Sequence, residues 1–202
     1  MEKIIFLAEQ RSTHVAIAIA LGFCVMLITA AASANPFFIN APASTIVMMD
    51  SEPGDYIGQG LYSFYSLADG TFTAQSHFDN GVSIFFHSQD YSHWWYLDFA
   101  APNNGALAVG TYSGATRFPF QAAGEPGLDV SGDGHVCNTL TGSFEVKEIS
   151  YGTNNDILSF WATFEQHCEG LPPALRGEIR FNAAAPNTVT SIKTSPNPQY
   201  PV

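Results

Sequence analysis

The chain contains few charged residues, and few of those are basic. Charged side chains make up 12% of the 202 residues, with seven Lys and Arg against 18 Asp and Glu, so the formal net charge is −11. An acidic surface of this kind repels nucleic acid phosphates and anionic lipid head groups. We therefore expect neither a nucleic acid partner nor a membrane surface partner.

Catalytic and metal-binding motifs are also scarce. The six histidines show neither H-x-H nor H-E-x-x-H spacing, and no serine lies in a G-x-S-x-G motif. Residues 129–134 (DVSGDG) match the first half of a calcium loop, but Leu140 stands where the bidentate carboxylate belongs. We interpret this segment as a Gly/Asp turn that leads to Cys137. The sequence predicts no catalytic residue and no cofactor, although a glycosidase-type carboxylate pair can be hidden in a β fold.

The chain has one long hydrophobic run, residues 15–31, near its start. Lys3 and Arg11 precede this run, and Ala-Ser-Ala at 32–34 follows it. This order is typical of a signal peptide, so we predict that residues 1–34 are removed and the mature protein is secreted to the periplasm or beyond. The alternative is a retained anchor, because a run of about 17 residues approaches the lower limit for a membrane span.

Of the three cysteines, Cys24 leaves with the signal peptide. Cys137 and Cys168 then reach an oxidising compartment together, and we predict that they form a disulfide. A metal site or a reactive thiol is the alternative, but the two cysteines lack C-x-x-C spacing.

Helical periodicity is absent, and short segments instead alternate apolar and polar residues between Gly, Pro, Asn and Asp. The pattern predicts an all-β domain at 45–183, between a lead at 35–44 and a flexible Pro/Asn/Thr-rich tail at 184–202. The expected fold is an antiparallel β-sandwich of eight or nine strands, similar to a jelly roll. Predicted strands cover 45–49, 61–66, 72–78, 82–86, 93–99, 142–149, 158–164 and 175–181.

One hairpin stands out in this pattern. Phe72, Ala74 and Phe78 are in step on one face, and the Asn80-Gly81 pair that follows suits a type I′ turn. In the next strand, alternation places Trp95, Leu97 and Phe99 on one face, which we predict to be core.

Aromatic residues also lie on strand faces opposite the predicted core. Trp94, Tyr96 and Asp98 alternate with the core residues of their strand, and Trp161 lies on the outer face of another. If these strands are neighbours, their rings form a flat platform on which sugar rings stack. Polar groups for the sugar hydroxyls would come from Asp98, His87 and His93. The alternative is that a loop covers the rings, which then form a secondary core.

Three acidic residues are candidates for a structural calcium site. Glu52 and Asp55 precede the second predicted strand, and Glu178 lies on the last. Were they to meet, their oxygens could bind Ca²⁺. The alternative is a turn fixed by Pro53 and Gly54 with the acids facing water.

Five segments together resemble a β-sandwich domain of secreted bacterial proteins that has no assigned activity. They are residues 51–58 (SEPGDYIG), 95–102 (WYLDFAAP), 110–112 (GTY), 137–138 (CN) and 164–170 (FEQHCEG). The resemblance implies a β-sandwich module with paired cysteines, often beside other extracellular modules. It brings no catalytic residues.

The sequence thus favours a secreted, non-catalytic module that binds a glycan or another cell-surface component. A structural or self-associating surface component is the alternative, and a hydrolase is a third hypothesis. The sequence does not indicate an oligomeric state.

Overall fold

The computed structural model describes residues 43–184. In this part of the chain the regular structure is β-strand, apart from two three-residue 3-10 turns, so the predicted all-β fold is confirmed. The predicted signal peptide, most of the lead and the tail from residue 185 lie outside the described residues. None of the helical turns within 43–184 has the length and apolar character of a membrane span.

Ten strands form a single sheet in the order β2-β1-β10-β9-β8-β6-β7-β5-β4-β3. All neighbours pair antiparallel except β6 and β7, which pair parallel. The predicted eight or nine strands in two antiparallel layers are therefore replaced by one mixed sheet. The strands are β1 (Ser44–Ser51), β2 (Tyr62–Ser66), β3 (Gly70–Ser76), β4 (Val82–Ser88), β5 (Trp94–Ala100), β6 (Gly110–Arg117), β7 (Gly127–Gly132), β8 (Leu140–Tyr151), β9 (Ile157–Cys168) and β10 (Leu175–Ala183).

The sheet curls until it is nearly closed into a barrel. Its two edge strands, β2 and β3, are consecutive in the chain and are joined by a tight turn. Asp69 fixes this turn, because its carboxylate accepts hydrogen bonds from the Ser66 amide at 2.8 Å and the Ser66 hydroxyl at 2.7 Å. Tyr65 of β2 stacks on Phe86 of β4 with ring centroids 4.6 Å apart. The β2 edge of the sheet thus packs against β4, the neighbour of the other edge strand, although β2 and β3 do not pair.

The core fills the inside of this curled sheet. Phe99 of β5 lies 5.2 Å, centroid to centroid, from both Phe144 of β8 and Phe160 of β9. Strands that are distant in the sheet therefore meet across the interior. Trp95, Leu97 and Phe99 are buried as predicted. Burial of each such side chain stabilises the fold by about 1.5–3 kcal/mol.

One buried side chain completes the sheet where two strands separate. The parallel β6–β7 ladder has only two residue pairs, the second being Arg117 with Leu128. Beyond it, the fully buried Gln166 of β9 accepts a hydrogen bond from the Val130 amide at 2.8 Å and donates one to the Val130 carbonyl at 2.9 Å. The Gln166 amide thus satisfies both backbone groups of a residue that β6 does not reach.

The predicted hairpin between β3 and β4 is confirmed, but its turn differs from the prediction. The Asn80 amide donates to the His77 carbonyl at 3.2 Å, and Asn80 has a φ of 62°. A type I turn followed by a left-handed residue makes a three-residue loop rather than a type I′ turn. Phe78 lies in this loop and is 85% exposed, so it does not share a face with the buried Phe72 as the sequence predicted.

Two tertiary links connect distant parts of the chain. The predicted disulfide between Cys137 and Cys168 is confirmed, with a Cα–Cα distance of 5.3 Å, and it ties the approach to β8 to the end of β9. Ser44, the first residue of β1, pairs with Ala183, the last residue of β10. The chain therefore enters and leaves the sheet at the same place.

Candidate ligand-binding surface

Aromatic rings gather on the outer face of β4 and β5 and in the turn between them. Because Trp95 and Leu97 point inward, Trp94 and Tyr96 face outward. In the antiparallel register, Trp94 lies opposite His87 of β4 and Tyr96 opposite Phe85. The aromatic patch consists of Phe85, His87, Tyr91, Trp94 and Tyr96.

Contacts between the rings make the patch one continuous surface. Phe85 and Tyr96 stack with centroids 4.5 Å apart, and Trp94 meets Tyr96 edge to face at 5.8 Å. His87 and Tyr91 lie parallel at 4.3 Å. Trp94 remains 36% exposed and Tyr96 42% exposed. Because each aromatic pair contributes about 0.5–1.5 kcal/mol beyond area burial, the rings are held in place before any ligand arrives.

The turn that carries Tyr91 is fixed by Asp90. The Asp90 carboxylate accepts hydrogen bonds from the Ser92 hydroxyl at 2.7 Å, the Ser92 amide at 3.1 Å and the Ser88 hydroxyl at 2.7 Å. These bonds, first those from the Ser92 and Ser88 hydroxyls, lower the pKa of Asp90 to about 2. The carboxylate therefore stays ionised and keeps Tyr91, which is 70% exposed, on the same side as the other rings.

Asp133 anchors the start of β5. Its carboxylate accepts the Trp94 amide at 2.8 Å and lies 2.7 Å from Nδ1 of His93. Asp133 and Gly134 have φ values of 47° and 83°, as in a type I′ turn after β7. The predicted Gly/Asp turn thus covers only the end of 129–134, and the rest belongs to β7. The carboxylate of Asp133 offers an acceptor beside Trp94.

Trp161 does not join the patch. It lies on the outer face of β9, which is separated from β5 by β8, β6 and β7. The Arg180 guanidinium lies 4.7 Å from its ring centroid and the Lys147 ammonium 5.8 Å. Trp161 therefore packs against two cations on another part of the sheet, and the structure does not bring it together with Trp94 and Tyr96.

Asp98 lies on the same face as the patch but is covered. Its side chain is 14% exposed, and one carboxylate oxygen lies 3.1 Å from Nε2 of His77. Across the β5–β7 pair it faces Asp129, which is 7% exposed. Burial and, after it, the charge of Asp98 raise the pKa of Asp129 from 3.8 to about 7 against the opposing effect of Arg117. The two carboxyls share a buried site rather than the rim of the patch.

The three predicted calcium ligands each have a different partner. Asp55 accepts hydrogen bonds from the Ser51 hydroxyl at 2.8 Å and the Gly58 amide at 2.7 Å, inside a turn. Glu52 pairs with Arg176, and Glu178 pairs with Arg180. Within residues 43–184, no three His, Cys, Asp or Glu side chains are grouped closely enough to hold a metal ion. The structure does not bring Glu52, Asp55 and Glu178 together.

Two residues of this surface are missing from the sequence predictions, Tyr91 and Asp133. For Tyr91 the available signal was the Ser-x-Asp-x-Ser pattern around Asp90, which favours an ordered turn. Asp133 contacts Trp94 from 39 positions away, so no local pattern indicates it.

Comparisons of the chain with models of protein families, with curated proteins and with solved structures found no match.

Proposed function

We propose that the protein is a secreted, non-catalytic module that binds a carbohydrate through the aromatic patch. The observation that carries this proposal is the exposed pair Trp94 and Tyr96, whose rings contact each other and are held in place by Phe85 stacked on Tyr96. Sugar C–H faces pack on such π surfaces, and ordered rings lose little conformational freedom on binding. Export is supported by the N-terminal sequence and by the disulfide, which forms in oxidising compartments.

The charge around the patch favours an uncharged glycan. The described cations that contact aromatic rings do so at Phe120, in the connection between β6 and β7, and at Trp161 on β9, while Asp133 lies beside Trp94. With a net charge of −11, the protein repels uronic or sulfated polymers. We expect hydroxyl groups of a neutral sugar to bind the Asp133 carboxylate and the imidazoles of His87 and His93.

The test is a glycan array with the mature protein, with and without calcium, followed by titration of any hit. We expect Trp94→Ala to weaken binding by about thirtyfold or more, the loss that a buried aromatic anchor of about 2 kcal/mol produces. Calcium is expected to make no difference, because the acidic residues first considered for it have protein partners.

Tyr62→Ala is the matched control, since Tyr62 is also an exposed strand aromatic, at 57%, but lies on β2. It should bind as the wild type does. Equal weakening by both variants, or no binding across a broad array, would count against the proposal.

Self-association is the second candidate. Tyr62 and Phe64 on edge strand β2 and Leu61 just before it are 57%, 48% and 55% exposed, and the residues of β2 carry no charge. Exposed apolar edge strands pair readily with other chains. Sedimentation of the mature protein at increasing concentration tests this candidate: a dimer that Phe64→Lys dissociates would support it.

The structure gives a specific reason not to propose hydrolysis. Asp98 and Asp129 are the facing carboxyls that such chemistry would need, but Phe118 is buried above His77 beside them. A substrate would have to displace this cover.

A further inference from the structure

The segment between β6 and β7, residues 118–126, lies over the outer face of the sheet, and we call it the strap. The Phe118 ring packs on His77 with centroids 4.4 Å apart, and the Phe118 amide donates to the Leu128 carbonyl at 3.0 Å. Further along, the Gln121 amide donates to Asp79 at 3.4 Å. The Gln121 side chain also lies against Gly127, where an added Cβ would be 2.8 Å from its Cδ. The strap thus closes off the row of outer residues next to the aromatic patch.

Beneath the strap, hydrogen-bonding capacity is left over. Among the described residues, five buried polar atoms of this cluster have no hydrogen-bond partner. They are Oδ1 of Asp98, Oδ1 of Asp129, Nε2 of His77, Nε of Arg117 and Oε1 of Gln121. The 3.1 Å approach of His77 to Asp98 is close but is not aligned as a hydrogen bond. Unpaired buried polar atoms are costly, so one extra donor in this cluster would stabilise it.

A proton is the simplest such donor. Two carboxylates that face each other in a buried site cannot both ionise without strong repulsion. The cation that acts on Asp129 is Arg117, and His77 lies beside Asp98. The nearby Asp79 carboxylate already accepts hydrogen bonds from the Gly81 amide and from Gln121. A neutral Asp129 supplies an O–H to the cluster, and a single negative charge on Asp98 then faces Arg117 and His77.

We propose that the buried Asp129 carboxyl, which faces Asp98 across the β5–β7 pair, holds a proton and that the strap is closed only while this proton is bound. Loss of the proton leaves two negative charges under the strap, with Arg117, the last residue of β6, as the arginine that opposes them. The strap then opens and extends the aromatic patch onto the next row of the same face, where Asp98 and Asp129 follow Tyr96 and Ser131.

The test is hydrogen–deuterium exchange at the Phe118 amide, corrected for intrinsic rates. We expect protection to fall by about tenfold or more between about pH 5.5 and pH 8.5, since each unit across the titration is worth a factor of ten. In Asp129→Asn, which is neutral throughout, protection should not change with pH. Asp156→Asn is the control, because Asp156 is exposed in another turn, and it should behave as the wild type does.

Two further variants keep the test decisive if Asp129→Asn does not fold. Asp98→Asn leaves at most one negative charge under the strap, so protection of the Phe118 amide should stay high up to pH 8.5. His77→Gln should keep the pH dependence. Constant protection in the wild type, or loss of the pH dependence in His77→Gln, would overturn the proposal.

Discussion

At the scale of single residues, Gln166 is a buried polar side chain that the backbone of another strand depends on. It is fully buried, and its amide satisfies both backbone groups of Val130. Alternation along β9 marks position 166 as inward-facing, and the sequence could predict that. It could not name the partner, because Val130 lies 36 positions away and the need arises only where β6 leaves β7.

Gln166→Leu should lower the free energy of unfolding by about 2–4 kcal/mol, because the Val130 amide and carbonyl would both be buried without partners. Chemical denaturation measures this loss. Gln75→Leu is the matched control, since Gln75 is exposed on β3, and it should change stability by less than about 0.5 kcal/mol. A similar small change in both variants would show that the Gln166 hydrogen bonds contribute little.

At the scale of elements, the strands with long apolar alternation are predictable and the glycine-rich ones are not. The predicted segment at 93–99 matches β5 within one residue at each end, and the segment at 158–164 lies inside the longer β9. β6 (GTYSGATR) offers no inward apolar series, and β7 (GLDVSG) is bounded by the glycines that usually mark turns. Both are strands because their neighbours supply the hydrogen bonds, which is tertiary information. Alternation also predicts the part of the aromatic patch that lies on β5, Trp94 and Tyr96. It does not predict Tyr91, which lies in the turn between β4 and β5.

Gly177 in β10 shows how one element makes room for another. A Cβ at this position would lie 2.8 Å from Cε1 of Phe164 and 2.6 Å from the Met48 carbonyl oxygen. Gly177→Ala should therefore destabilise the fold by about 1–3 kcal/mol through overpacking, measured as a lower thermal midpoint. The control is Gly124→Ala, where a Cβ meets nothing within 4 Å. A midpoint unchanged in Gly177→Ala would mean that the Phe164 ring moves freely.

At the scale of the whole molecule, local pattern indicates strands and their faces but not how a sheet closes. Closure depends on contacts such as Tyr65 on Phe86 and Phe99 on Phe160, which join strands far apart in the sheet. The sequence therefore predicted the all-β class and the disulfide, while the single curled sheet required the structure. The family resemblance stays a prediction.

Reduction of the disulfide should destabilise the whole domain. Cys137 and Cys168 close a loop with a sequence separation of 31, for which chain entropy predicts a loss of about 3–4 kcal/mol. The double variant Cys137→Ala/Cys168→Ala should show a thermal midpoint lowered to the same extent as the reduced wild type. An unchanged midpoint in both would contradict a stabilising role.

The pairing of Ser44 with Ala183 also makes this domain suitable for insertion into a surface loop of another protein. A host protein could carry it in a surface loop without spreading the loop's two ends, because the guest's entry and exit points are already adjacent. The same adjacency permits circular permutation: a short Gly/Ser linker from 184 to 43, with new ends cut in the exposed turn Thr153–Asn155, would preserve every strand of the sheet. Because the new ends are the point of attachment to a fusion partner, the position of the cut decides whether the Trp94 surface faces that partner or points away from it.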